Sequence, residues 1–211
     1  MKKKKVKRKL KKKPIIILII IVLILIFIGL IICYLVNNKE DEIKEVKVLN
    51  SIDKYNYVLN DNDTKLYEKE FNNLVSVLKK SEINNEDYAS SVSKLFALDF
   101  YDLKSKVINT DVGGTQFIYK DNLDNFLINA KDTIYKNIET NYDGKRKQEL
   151  PSINEVEVKS VEESTFKVKE KDYDSYEVEV KIDYVKDLGY NSNILVTLIL
   201  NNNKLEIVKV K

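Results

Sequence analysis

Histidine and tryptophan are missing from the chain altogether, and cysteine occurs once, at Cys33. Without imidazole there is no Ser–His–Asp triad, no haem held by His and no zinc site of the usual His and Cys kinds. With a single Cys, a disulfide within the chain is excluded. A carboxylate-only calcium or magnesium site stays open in principle, yet no acidic loop has EF-hand spacing. No metal and no cofactor is therefore expected. Glycine is scarce as well: of five, only Gly113 and Gly114 adjoin.

What the chain does have is sharply segregated. Ten of the residues from Lys2 to Lys13 are basic, and after Pro14 comes an uncharged run of 22 residues, Ile15 to Val36. As a helix this run would measure about 33 Å, enough to cross a bilayer's hydrocarbon core. A soluble helix has no need to be apolar on every face. The run is too long for the apolar part of a signal peptide, and the residues around Cys33 are bulky, so an uncleaved anchor is expected. Basic residues flanking a span stay in the cytoplasm, which places residues 1–14 inside and the rest outside. There the tail would meet anionic lipid headgroups, at about 1 kcal/mol per nearby Lys or Arg.

Beyond the tail, 26 Lys and Arg face 33 Asp and Glu, a net charge of −7. A mildly acidic domain lacks the positive face that nucleic acid requires. Residues 37–50 read as a polar stalk, and 51–211 as one extracytoplasmic domain.

Within that domain the apolar spacing is helical first. Tyr67, Phe71, Leu74, Val75 and Leu78 form one stripe over Lys65 to Lys79, with Asp63 or Thr64 as the cap. Tyr88, Val92, Leu95, Phe96, Phe100 and Leu103 form a second over Glu86 to Ser105, capped by Asn84 or Asn85. Leu123, Phe126, Leu127, Ala130, Ile134 and Ile138 form a third over Asp121 to Ile138. "TQFIY", Thr115 to Tyr119, reads as a short strand, as does "YNYVLN" from Tyr55 to Asn60.

After "GKRKQELP" the period falls to two. Tyr176, Val178, Val180, Ile182 and Tyr184 face one way, and Asn193 to Val210 reads as a hairpin turning at Asn201 to Asn203. The expected fold is α+β, three helices packed on one face of a curved antiparallel sheet of about four strands.

Four candidate sites emerge. In "DVGG" the adjacent glycines suggest a phosphate cradle, but no Lys-Ser/Thr pair and no third glycine follow. A corner between helix and strand at Gly113 and Gly114 fits better. Asp99, among Phe96, Phe100 and Leu103, is a base candidate if it turns into a cleft, with Tyr101, Tyr119 or Tyr135 as donor. The plainer reading makes Asp99 a turn cap or a solvated group. Arg146 is the only Arg outside the tail, and it either grips an anionic partner or sits in a solvated loop.

The order of elements from Tyr55 to Lys211 resembles the nuclear transport factor 2-like (SnoaL-like, cystatin-like) superfamily. With its short tail and single anchor, the chain also looks like the single-pass scaffold subunits of type IV secretion and conjugation channels. "LFALDFYDLKSK" and "DVGGTQFIY" are similar to segments of membrane proteins from low-GC Gram-positive bacteria, a source to which the Lys, Asn and Ile bias also points. The resemblance implies a non-enzymatic platform for protein partners, further copies of the chain among them. A ligand-binding or sensory module, and an isomerase or dehydratase using Asp99, are the alternatives. In enzymes of that superfamily a cleft His, Asp or Tyr commonly acts, and none is matched here residue by residue.

Overall fold

The computed structural model describes residues 21–31 and 46–211. Residues 21–31 are helical, and among the described residues no helix is long and apolar enough to cross a membrane. The remainder of the expected span, 15–20 and 32–36, lies outside the described residues, as do the tail and most of the expected stalk.

From residue 46 onward the chain forms an α+β domain. It opens with a small hairpin of β1 (Val48–Ile52) and β2 (Tyr57–Asn60), paired antiparallel with a register shift after Val48. The stalk expected to reach residue 50 is thus already strand at Val48. Thr64 caps helix α1 (Lys65–Leu78) by accepting from the Tyr67 amide at 3.2 Å. Asn84 caps α2 (Asn85–Tyr101) by accepting from the Asp87 amide at 2.9 Å. Each cap satisfies a first-turn donor that would otherwise lack a partner, worth about 1 kcal/mol.

The helical stripes go where their spacing sends them. Tyr67, Phe71 and Leu74 of α1 are buried, as are all six stripe residues of the second segment, Tyr88 to Leu103. Each such side chain contributes roughly 2 kcal/mol of burial. Helix α2 packs against α1 and across β3 (Ile153–Val168) and β4 (Lys171–Tyr184).

With β5 (Asn193–Asn201) and β6 (Lys204–Val210), these strands form a four-stranded antiparallel meander in the order β3-β4-β5-β6. Tyr176, Val178, Val180 and Ile182 are buried while Glu179 and Lys181 are exposed, the alternation of a sheet with one covered face. Register shifts within β3 and between Thr197 and Leu198 act as bulges and bend the sheet. The β5–β6 turn has Asn202 at φ 50° and Asn203 at φ 65°, left-handed angles that Asn tolerates and a two-residue hairpin requires.

Two expectations need correction. Thr115–Phe117 is a 3-10 turn, not a strand, and only Ile118 makes a bridge, parallel to Ile207 of β6. Phe117 and Ile118 are apolar because they plug the core, an alternation short enough to pass for a strand. Helix α3 is also short, Leu123–Asp132 rather than ending at Ile138. At Thr133 the backbone leaves helical angles (φ −120°, ψ −99°), and Tyr135 and Ile138 reach the core from turns instead.

Candidate functional site

Among the concavities of this domain, one is polar and another is largely apolar.

The polar cleft, about 320 Å³, is lined by Asp63, Tyr67, Asp99, Lys106, Asp111 and Gln116 among others. Asp99 stands at its centre, on the last turn of α2. One carboxylate oxygen accepts from the Lys106 ammonium at 2.6 Å, the other from the Gly114 amide at 2.6 Å. The Lys106 side chain keeps only 9% of its surface exposed and that of Asp99 19%. This carboxylate is a clamp, held by charge and by an amide. No tyrosine donates to it, so the candidate base with a tyrosine donor is not assembled, and the carboxylate instead holds the Gly114 turn.

The adjacent glycines explain themselves in the same place. Gly113 lies so close to Asp99 that a Cβ would overlap the Asp99 carbonyl oxygen and carboxylate. Gly114 sits at φ 75°, and a Cβ there would come within 2.6 Å of the Phe96 ring. Both positions therefore need glycine, one for close approach and one for its left-handed backbone. "DVGG" is a corner, and its amide faces a carboxylate of its own chain.

Tyr135 completes the corner from the far side. Its hydroxyl donates to the Phe100 carbonyl at 2.7 Å and accepts from the Gly113 amide at 3.1 Å. Burial raises its pKa well above the ordinary tyrosine value, so it stays a neutral donor. Arg146 is likewise turned inward. Its guanidinium donates to the carbonyls of Lys106 (2.8 Å), Glu139 (3.0 Å) and Lys104 (2.9 Å). It staples the loop that carries Lys106, from a run (144–148) in which Gly144, Lys145 and Lys147 are exposed.

Tyr101 and Tyr119 lie elsewhere. The backbone amide of Tyr119 donates to the Ile207 carbonyl at 2.9 Å, and the residue lines neither concavity. Tyr101 belongs to the apolar groove. There it stands edge-on to Phe100 at 4.8 Å between ring centroids and 87°. Burial lifts its pKa to about 12.

The groove has a volume of about 520 Å³ and runs between α3 and the final half of β6. Phe100, Tyr101, Phe126 and Ile134 form its apolar part, with Asn125 and Asn129 on the helix side. Lys209 and Lys211 are the only Lys, Arg, Asp or Glu residues along it, on either side of Val210, the last residue of β6. The sequence offered Tyr101 as a candidate pocket residue and a helix–sheet cleft as an alternative, but not the groove's other walls, which come from three separate stretches of chain.

Among the described residues no cluster of acidic or sulfur ligands is arranged to hold a metal ion. No family model matches the chain, and no curated protein or solved structure matches it either.

Proposed function

We propose that this chain is a membrane-anchored binding protein without catalytic chemistry of its own. In this reading Ile15 to Val36 spans the bilayer, and the basic tail of Lys2–Lys13 lies on the cytoplasmic side against anionic headgroups. The α+β domain then works outside the cytoplasm as a platform for protein partners in a membrane assembly of the secretion or conjugation type. The nuclear transport factor 2-like order of elements belongs to the same proposal.

One observation carries the binding part. The reactive-looking groups, Asp99, Lys106 and Tyr135, are bonded to their own chain, whereas the larger concavity is lined by apolar and amide residues and by Lys209 and Lys211, with no Asp, Glu or Cys residue along it. Such a lining holds a partner in place and has nothing with which to transform it. The sequence supports the location, through 22 uncharged residues directly behind ten basic ones.

Cysteine labelling tests both parts. In a Cys33→Ser background, Asn129→Cys should react with a membrane-impermeant maleimide on intact cells, and Val6→Cys only after the cells are opened. Protection of Asn129→Cys until lysis would remove the extracytoplasmic placement. A benzophenone on Asn129→Cys should cross-link to another polypeptide in intact membranes, and one on Glu155→Cys of β3 should not. Absence of cross-links from both positions would overturn the binding role. A groove of this volume also suits a small apolar ligand, and native mass spectrometry of the purified chain would reveal such a species directly.

A further inference from the structure

The polar cleft holds more hydrogen-bonding capacity than its own chain uses. Its lining carries three carboxylates, Asp63, Asp99 and Asp111, against one ammonium, Lys106. Asp99 and Lys106 pair with each other, so among the described residues Asp63 and Asp111 have no cation of their own. Each ties one oxygen to the backbone. Asp63 Oδ2 accepts from the Asn60 amide at 2.6 Å, and Asp111 Oδ2 from the Val107 amide at 3.1 Å. The Oδ1 atom of each has no donor among the described residues. The carboxylates also share one space: burial raises Asp63 above its ordinary 3.8, and the charges of Asp99 and Asp111 push it the same way.

Two buried donors in the same lining are also incompletely used. Tyr67 is 3% exposed. The Gln116 amide pairs with Val58 in both directions, and its second N–H donates to the Tyr67 oxygen at 2.7 Å. Tyr67 is therefore the acceptor in that bond, and its own proton has no acceptor among the described residues. Lys106 has three N–H groups on a buried side chain and one partner, Asp99. Buried donors without acceptors are costly, and an acceptor that enters the cleft relieves the cost.

We propose that the polar cleft binds a small organic cation, an ammonium compound with a hydroxyl or carbonyl oxygen a few bonds away. The ammonium donates to the unused oxygens of Asp63 and Asp111, and the ligand's oxygen accepts from Tyr67 beside Lys106. Val58, Leu98 and Val112 supply apolar contact for the carbon linker. Among the described residues no acidic or sulfur groups are arranged to hold a metal ion, so the cation is organic. A cleft of about 320 Å³ admits such a molecule. The site is separate from the apolar groove, and the protein-binding role does not depend on it.

The test uses the full chain in lipid nanodiscs and ligand-observed NMR. The probes are ethanolamine, propylamine, which lacks the oxygen, and ethylene glycol, which lacks the charge. Ethanolamine should bind saturably in the millimolar range, as so small a molecule allows. Propylamine should bind roughly fivefold more weakly, and ethylene glycol more than tenfold. Asp63→Asn keeps an oxygen for the Asn60 amide and removes the charge. It should weaken ethanolamine roughly tenfold with the circular dichroism unchanged. Asp111→Asn, built on the same logic, is the second variant. Tyr67→Phe should erase the preference for ethanolamine over propylamine, which a merely structural tyrosine would leave in place.

Ethylene glycol binding as tightly as ethanolamine would overturn the cation. Unchanged ethanolamine binding by folded Asp63→Asn and Asp111→Asn proteins would overturn the site. An equal loss on Asp172→Asn, an exposed carboxylate of β4, would reduce the attraction to diffuse charge and overturn it as well. The probe series on the unaltered chain decides the matter even where a variant does not fold, since no saturable binding of ethanolamine rejects the proposal.

Discussion

The polar cleft and the apolar groove are built from the two ends of the same corner, and they end in opposite conditions. In the cleft, charge meets charge: Asp99, Lys106 and Gly114 answer one another within 2.6 Å. Along the groove, among the described residues, Lys209 and Lys211 meet no Asp or Glu in the lining. The comparison teaches that an acidic, glycine-flanked segment looks more like a reactive site than it is. A run of Asn, Phe and Lys looks less like a site at all. Chemical conspicuousness in a sequence and availability in a fold are separate properties.

The contrast can be broken by stability measurements. Gly113→Ala should have the largest effect, because its methyl group overlaps the Asp99 backbone and the helix end must shift. A loss of about 3 kcal/mol or more in denaturant unfolding is expected. A near-neutral result would mean that the corner is not rigid. Tyr135→Phe comes next, at about 2 kcal/mol, since it strips a partner from the buried Gly113 amide and Phe100 carbonyl.

A pH series on Asp102→Asn sharpens the picture at the end of α2. Burial raises the Asp102 carboxyl above its ordinary 3.8, against opposing bonds from the Ile153 and Ser105 amides. The folded chain thus holds this proton more tightly than the unfolded one. The group favours folding most below 3.8, and that advantage declines as pH rises towards the raised native value. The stability of the wild type should therefore fall relative to that of Asp102→Asn as pH rises across that window, and parallel curves would contradict it. Smallest of all, Lys209→Ala should change stability by less than about 0.5 kcal/mol. A cost comparable to Tyr135→Phe would show that the groove, too, is stitched to its own chain.

Much of the architecture was legible because it rests on local rules. Thr64 and Asn84 announced α1 and α2, the period-two run from Tyr176 fixed which face of β4 is covered, and the Asn pair marked the last hairpin. The rule for α3 failed at Thr133, since Ile134, Tyr135 and Ile138 keep an inward position without a helix. Tyr135 must bring its hydroxyl to Phe100 and Gly113, and that tertiary demand outweighs helical spacing. Of the site, only the corner at Gly113 and Gly114 could be read. The Asp99–Lys106 pair depends on where α2 stops and how Leu103–Ser105 turns. The groove depends on residues about 100 apart in the chain meeting along β6. No period encodes either.

The Tyr57 hydroxyl pairs with that of Tyr88 at 2.8 Å and lies 3.1 Å from the Leu205 carbonyl, a residue 148 positions further on. The opening hairpin is thereby latched to the final strand. A ribosome releasing this polypeptide from its first residue onward delivers the keyhole long before the key. Contacts of such sequence separation form late and slowly, so assembly of this domain waits for β6 to emerge. Until then its aromatic interior has nothing to close upon.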